Sequence, residues 1–239
     1  MKIYKNEKLI ERNGKIANYV SIGGLVTFAA YAYLTIQTLL KSESLLTKNP
    51  AIIFGLLILA FVLVQVGNYL GPKFGKSPRL DEKLDASLKG THSDFAFFHY
   101  LSPISHLLIG PSGVWAILPY PQLGHVTFTK NRWKHGGGSF FQKYMRIFGF
   151  DRLGRPELDA ESEVNSVKKF LAKHLDEKDI PEVKTILVFT SDEIELESGD
   201  SPIPAMKLKQ LKDFMRQGSK NRALTPDQIQ RSTSLFDKE

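Results

Sequence analysis

Cysteine is absent from the 239 residues of this chain. Its absence excludes disulfides and removes thiolate from any metal-ligand set. A cytosolic domain needs no disulfides, and the composition fits one. Charge is absent from two long stretches, Ile16 to Leu40 and Asn49 to Pro72. Acid is absent from a third, since no Asp or Glu lies between Phe95 and Phe150. Any site built within that window therefore has no carboxylate of its own to offer a divalent cation.

The two uncharged stretches are apolar and long. A helix needs roughly 20 such residues to cross a hydrocarbon core about 30 Å thick. Both stretches reach that length, and they are read as a transmembrane hairpin with spans at 16–40 and 50–72. Two consecutive apolar helices of this length are unusual in the core of a soluble protein. A signal peptide explains the first stretch less well. Lys2, Lys5, Lys8, Arg12 and Lys15 form a basic lead-in, and Ala30-Tyr31-Ala32 has the small-x-small pattern of a cleavage site. Apolar residues nevertheless continue to Leu40, past the length of an ordinary signal core.

Basic residues concentrate on the outer flanks of the hairpin. Five precede the first span, and Lys73, Lys76 and Arg79 follow the second, against Lys41 and Lys48 in the connection. The positive-inside rule then places both termini in the cytoplasm of a multi-pass cell-membrane protein, with residues 41–50 on the far side. Tyr19 and Tyr69 fall near the interface. Of the net charge of +7, residues 1–76 carry +6, from nine basic and three acidic side chains. The basic pI is thus mainly a topology signal, and the rest of the chain is close to neutral.

Gly71-Pro72, Gly75 and Pro78 mark a linker, after which residues 77–218 have the composition of one α/β domain. Leu80, Leu84 and Leu88 predict a short amphipathic helix. Strands are expected over 95–101, 106–109, 114–118 and 126–129, the second and third joined by a turn at Gly110-Pro111-Ser112-Gly113. The stretch after 129 reads as irregular, with room for a short helix over 140–150. Further helices are expected over 158–175 and 205–215, a strand over 183–190, and a disordered tail over 219–239. All strands are expected in one mixed sheet flanked by helices. Residues 1–15 are expected to form a cytoplasmic N-terminal segment.

Between about Leu80 and Arg216 the chain resembles the NERD family, the nuclease-related domain of restriction-endonuclease-like fold. The most specific match is Ile104-Ser-His-Leu-Leu-Ile-Gly-Pro-Ser-Gly-Val-Trp-Ala-Ile-Leu-Pro-Tyr120. The family pattern there has an Asp often followed by His, an apolar strand, a Gly-Pro-x-Gly turn, and a strand ending in Glu-x-Lys. The resemblance implies that Asp and Glu hold a divalent metal and that Lys helps to position the attacking water. Aligned on the turn, these three positions are Ser105, Leu118 and Tyr120. None can do the corresponding work, since an aliphatic side chain offers Mg²⁺ no ligand and cannot help lower the pKa of a bound water. Replacement acids would have to come from Glu82, Asp85 or Asp94, or from Asp159, Glu161 or Glu163. The resemblance therefore implies a degenerate, noncatalytic relative with no cofactor and no catalytic residues.

Two other groups of residues stand out. Five of the six histidines, His92, His99, His106, His125 and His135, lie in one window. A zinc site needs three or four converging ligands, and the irregular spacing favours ordinary strand and loop histidines. In the acid-free stretch, Lys130, Arg132, Lys134, Lys143 and Arg146 alternate with Trp133, Phe140, Phe141 and Tyr144. Such a mixture suits nucleic acid, or the anionic headgroups of the bilayer to which the chain is tethered. It equally suits aromatics that simply cover a sheet. The expected function is a membrane-anchored binding or scaffold module with lipid, nucleic acid or an unidentified protein as partner. The alternatives are an active nuclease with relocated carboxylates and a membrane-surface adaptor that never meets nucleic acid.

Overall fold

A computed structural model of the chain describes residues 1–40, 50–101, 103–138, 140 and 152–236. They form two compact units, one of Glu7–Arg79 and one of Met1–Asn6 with Leu80–Glu239.

The first unit is a pair of helices, α1 (Glu7–Leu40) and α2 (Pro50–Phe74). Small residues make the seam: Ala17 and Gly24 are buried on α1, and Ala60 and Gly67 on α2. A Cβ added at Gly67 would lie 2.8 Å from Ser21 Oγ, so glycine here leaves room for the serine hydroxyl of the facing helix. Thr27 and Thr35 donate their hydroxyls to the carbonyls of Gly23 and Tyr31 at 2.7 and 2.8 Å, which satisfies them without water. Both helices are long and apolar enough to cross a membrane. Only 6% and 11% of their apolar windows are buried, unlike the core helix of a soluble protein. Leu25, Leu39 and Phe54 are among the bare side chains. Helix α1 begins nine residues before the expected span, so Lys8, Arg12 and Lys15 sit on its first turns.

The second unit is an α/β domain. Its main sheet is built from six strands: β1 (Lys2–Lys5), β2 (Ala96–His99), β3 (His106–Gly110), β4 (Gly113–Tyr120), β7 (Val183–Phe189) and β9 (Ala205–Lys207). They lie side by side in that same order, β1-β2-β3-β4-β7-β9. The central β2-β3-β4 meander is antiparallel, and the outer neighbours β1, β7 and β9 pair parallel. Alternation along β4 sorts the two cores. Val114 and Ala116 pack beneath α4 (Pro156–Leu171) and α6 (Pro226–Phe236), with Val167, Leu171 and Phe236. Trp115 and Ile117 pack on the other face, with Leu84 of α3 (Leu80–Ser87) and Leu211 and Met215 of α5 (Leu211–Lys220).

Several expectations are corrected. The N-terminal segment is not merely a flank, because Lys2–Lys5 adds a strand to the sheet and the Tyr4 ring stacks on Phe98 at 4.8 Å. The strands do not share one sheet. A separate sheet holds β5 (His125–Thr129), β6 (Arg132–Gly136) and β8 (Glu195–Glu197), in the order β6-β5-β8. Its hairpin turns at Lys130 and Asn131, both with positive φ, as a two-residue I′ turn requires. Ala205–Lys207 is a strand rather than the start of a helix, because pairing with β7 holds it extended and the helix begins only at Leu211. The tail expected to be disordered forms α6. The Thr225 hydroxyl accepts the Gln228 N–H at 3.3 Å, and the Gln228 amide oxygen accepts the Thr225 N–H at 3.0 Å. That reciprocal cap, with Pro226 at the first helical position, starts the helix. The expected helix over 140–150 lies outside the described residues, apart from Phe140.

Candidate functional site

The three positions singled out in the sequence sit at one end of the central meander. Leu107 pairs with Ala116. Continuing that antiparallel register by two residues brings Ser105 opposite Leu118, with Tyr120 two residues further along the same face of β4. Ser105 accepts the Tyr100 N–H through its backbone carbonyl at 2.7 Å. Leu118 is packed into the apolar clusters on both sides of it. Tyr120 donates its hydroxyl to Asp159 Oδ2 of α4 at 3.0 Å, and its ring lies 5.5 Å from that of Phe189. Burial and the Asp159 carboxylate push the Tyr120 phenol up, so it stays protonated and donates to that carboxylate. Of the candidate acids, Asp159 is engaged by this tyrosine, and Glu163 lies close enough to act on the phenol through its charge, as does Glu157. Among the described residues, no three His, Asp or Glu side chains converge on a point where a metal could sit.

A different cluster of ionisable groups lies at the junction of β1, α3, β2 and β3. Lys5 Nζ bridges Asp81 Oδ2 and Asp85 Oδ2, each at 2.7 Å. Asp85 Oδ1 meets His99 Nε2 at 2.9 Å, and His99 Nδ1 meets His106 Nδ1 at 2.8 Å. Asp81 and His99 are fully buried, and His106 nearly so. The positions follow from local structure. Asp81 and Asp85 are four residues apart on one face of α3. His99 and His106 are a register pair across β2 and β3, and β1 lies parallel to β2.

Burial would depress the Lys5 ammonium, but the hydrogen bonds and charges of Asp81 and Asp85 outweigh it and hold Lys5 above its ordinary range. Burial would likewise raise Asp85. His99 and then Lys5 reverse that and hold the carboxyl below its ordinary range. A carboxylate only accepts, so His99 carries its proton on Nε2. The two facing Nδ1 atoms can then share one proton but cannot both carry one. The cluster ties the strand preceding α1 to the helix that follows α2, and no local pattern in the sequence links these residues.

Lys130, Arg132 and Lys134 are exposed on the β5-β6 hairpin; Lys143 and Arg146 lie outside the described residues. Trp133 points the other way, its ring 5.2 Å from Phe128 and 6.3 Å from Phe189. The hairpin therefore separates its aromatics from its cations. Pairing also brings acid to a stretch that has none in sequence. Lys134 is opposite Thr127, and Thr127 is opposite Glu197 of β8. His125 faces the Glu197 carboxylate at 3.3 Å. The histidines do not gather at one point: His99 and His106 share the main sheet, His125 and His135 the small one, and His92 pairs with Asp94 at 3.2 Å.

Compared with family models, with curated proteins and with solved structures, the chain matches none.

Proposed function

We propose that this chain is a membrane-anchored, noncatalytic relative of the NERD nucleases, a binding or scaffold module held at the cytoplasmic face of a cell membrane. Apart from the β5-β6 hairpin inserted after β4, the order is α3-β2-β3-β4-α4-β7, three antiparallel strands followed by a helical crossover to a parallel strand, and it supports the restriction-endonuclease-like reading. The observation that carries the noncatalytic reading is the pair of side chains at the end of β4. Leu118 is a half-buried aliphatic side chain packed against the apolar clusters where a carboxylate would be needed, and the Tyr120 hydroxyl donates to Asp159. With leucine and tyrosine at these two positions, the end of β4 offers Mg²⁺ no carboxylate and does not help to activate a water. The apolar surfaces of α1 and α2 support the membrane anchor, and the basic outer flanks support cytoplasmic termini.

The test uses the full chain in lipid nanodiscs with Mg²⁺ or Mn²⁺ and labelled DNA and RNA. No cleavage is expected. Turnover abolished by Asp159→Ala or Glu82→Ala would show instead that the acids had moved and that the chain is an enzyme. A reporter fused after the last residue and active only outside the cytoplasm would overturn the orientation. The glutamates of β8 beside the basic hairpin favour a second reading, an adaptor that meets protein or headgroups and no nucleic acid.

A further inference from the structure

A cavity of about 560 Å³ opens between the edge strand β1, the start of β2, and one face of α6. Lys2 and Tyr4, alternate residues of β1, line one wall. Leu224 and Ile229 line the other, and the backbone around Phe95 and Ala96 closes the floor. Helix α6 presents residues at three- and four-residue steps from Pro226 to Ser234, a face that the chain's own sheet does not fill. The volume is in the range of small-molecule sites.

The charge of this cavity is lopsided. Lys2 and Arg222 both line it, and neither forms an ion pair among the described residues. The one acidic residue in the lining is Asp94, which faces His92 at 3.2 Å, so the lining carries two cations against one carboxylate. Arg222 also stands where its backbone does not favour it. It follows the C-cap of α5 with φ of +32°, in the left-handed region that ordinarily takes glycine or asparagine. A large cationic side chain held in a conformation suited to glycine is a reason to look for what the side chain does.

The geometry points to a binding site for a small organic anion. Its carboxylate or phosphate lies between Lys2 and Arg222, and its apolar body lies against Tyr4, Leu224 and Ile229. The hydroxyls and amide on the α6 face complete the wall. This site lies at the β3-β4 turn end of the sheet, away from Leu118 and Tyr120, and does not depend on the nuclease resemblance.

Titration calorimetry on the full chain in nanodiscs tests it with four water-soluble probes: phenyl phosphate, 3-phenylpropanoate, 3-phenylpropanol and inorganic phosphate. At least one of the two aromatic anions is expected to bind with Kd below ~1 mM, and the alcohol and inorganic phosphate at least ~10-fold more weakly. Comparing the phosphate with the carboxylate tells which headgroup is preferred. Lys2→Gln should weaken the anion ~10-fold, as removal of one charge-assisted hydrogen bond does. Arg222→Gly separates binding from folding. It relieves the backbone, so the unfolding midpoint should hold or rise while anion binding falls. The inference is overturned if neither anion binds at millimolar concentration, if the alcohol or inorganic phosphate binds as well as the anions, or if Lys2→Gln and Arg222→Gly both bind like the parent.

Discussion

His99 and His106 face each other nitrogen to nitrogen, Nδ1 to Nδ1 at 2.8 Å, inside the domain. One proton must lie between them, because two donors or two bare lone pairs at that distance repel. With His99 donating Nε2–H to Asp85, the pair has two arrangements. Either His106 donates to a neutral His99, or a cationic His99 donates to His106. Both keep one Nδ1 protonated and one bare. Imidazole ¹⁵N shifts of the two residues should therefore differ at Nδ1 near neutral pH. Equal shifts, both of protonated type, would rule out the pair. His106→Phe should cost the domain ~1–3 kcal/mol, since it leaves a buried ring nitrogen of His99 without a partner.

Lys5 and Asp85 give this cluster a pH signature with two limbs. Asp85 titrates lower in the folded domain than the unfolded value of about 3.9. Its contribution is therefore complete above that value and is lost as pH falls through the lower folded value. Lys5 titrates higher in the folded domain than the unfolded value of about 10.4. Its contribution is complete below that value and disappears as pH rises through the folded one. Thermal unfolding followed by tryptophan fluorescence should show a plateau across neutral pH and a decline at each end. Lys5→Met should flatten the alkaline decline and, by depriving Asp81 and Asp85 of their ammonium, cost ~3–5 kcal/mol at pH 7. An unchanged alkaline limb would show that Lys5 does not couple to folding.

Phe236 supports the polar C-terminal stretch as part of the core. Its ring lies 4.7 Å from Phe170 and 5.5 Å from Phe98, and it is 1% exposed. Phe236→Ala should lower domain stability by ~3–5 kcal/mol. A change under ~0.5 kcal/mol, the range of surface substitutions, would show that α6 does not dock in solution.

What the sequence disclosed and what it hid have physical reasons. The apolar runs of α1 and α2, the β3-β4 turn at Gly110-Pro111-Ser112-Gly113 and the periodicity of α4 are local signals, and each appears where expected. Helix α6 was missed although its signal is local. Thr225-Pro-Asp-Gln is a capping box followed by Ile229 and Phe236, but its polar composition obscured the pattern. The Lys5 cluster was not legible. Lys5 lies 76 residues from Asp81 and only the fold joins them, while its charge could be read only as part of a topology signal. The second sheet was hidden for the same reason, since β8 pairs with a strand far back in the chain.

Glu195 and Glu197 of β8 carry negative charge beside the basic hairpin. In sequence Lys130, Arg132 and Lys134 have no acid near them, but in the fold β8 runs beside β5, and Glu197 lies across one strand from Lys134. The glutamates should repel a phosphate backbone or an anionic leaflet and weaken whatever the cations attract. Changing Lys130, Arg132 and Lys134 to Gln should lower binding to single-stranded nucleic acid and to anionic vesicles, and should reduce the dependence of log affinity on log salt. Each phosphate that is no longer neutralised lowers that slope by roughly 0.7 for single strands. Glu195→Gln with Glu197→Gln should act in the opposite direction and tighten binding at low salt. Both sets of residues are on the surface, so stability should change by no more than ~0.5 kcal/mol. If the lysine and arginine changes leave both affinities untouched, the hairpin is not a polyanion surface. If the glutamate changes alone have no effect, the cations act at a face that β8 does not reach.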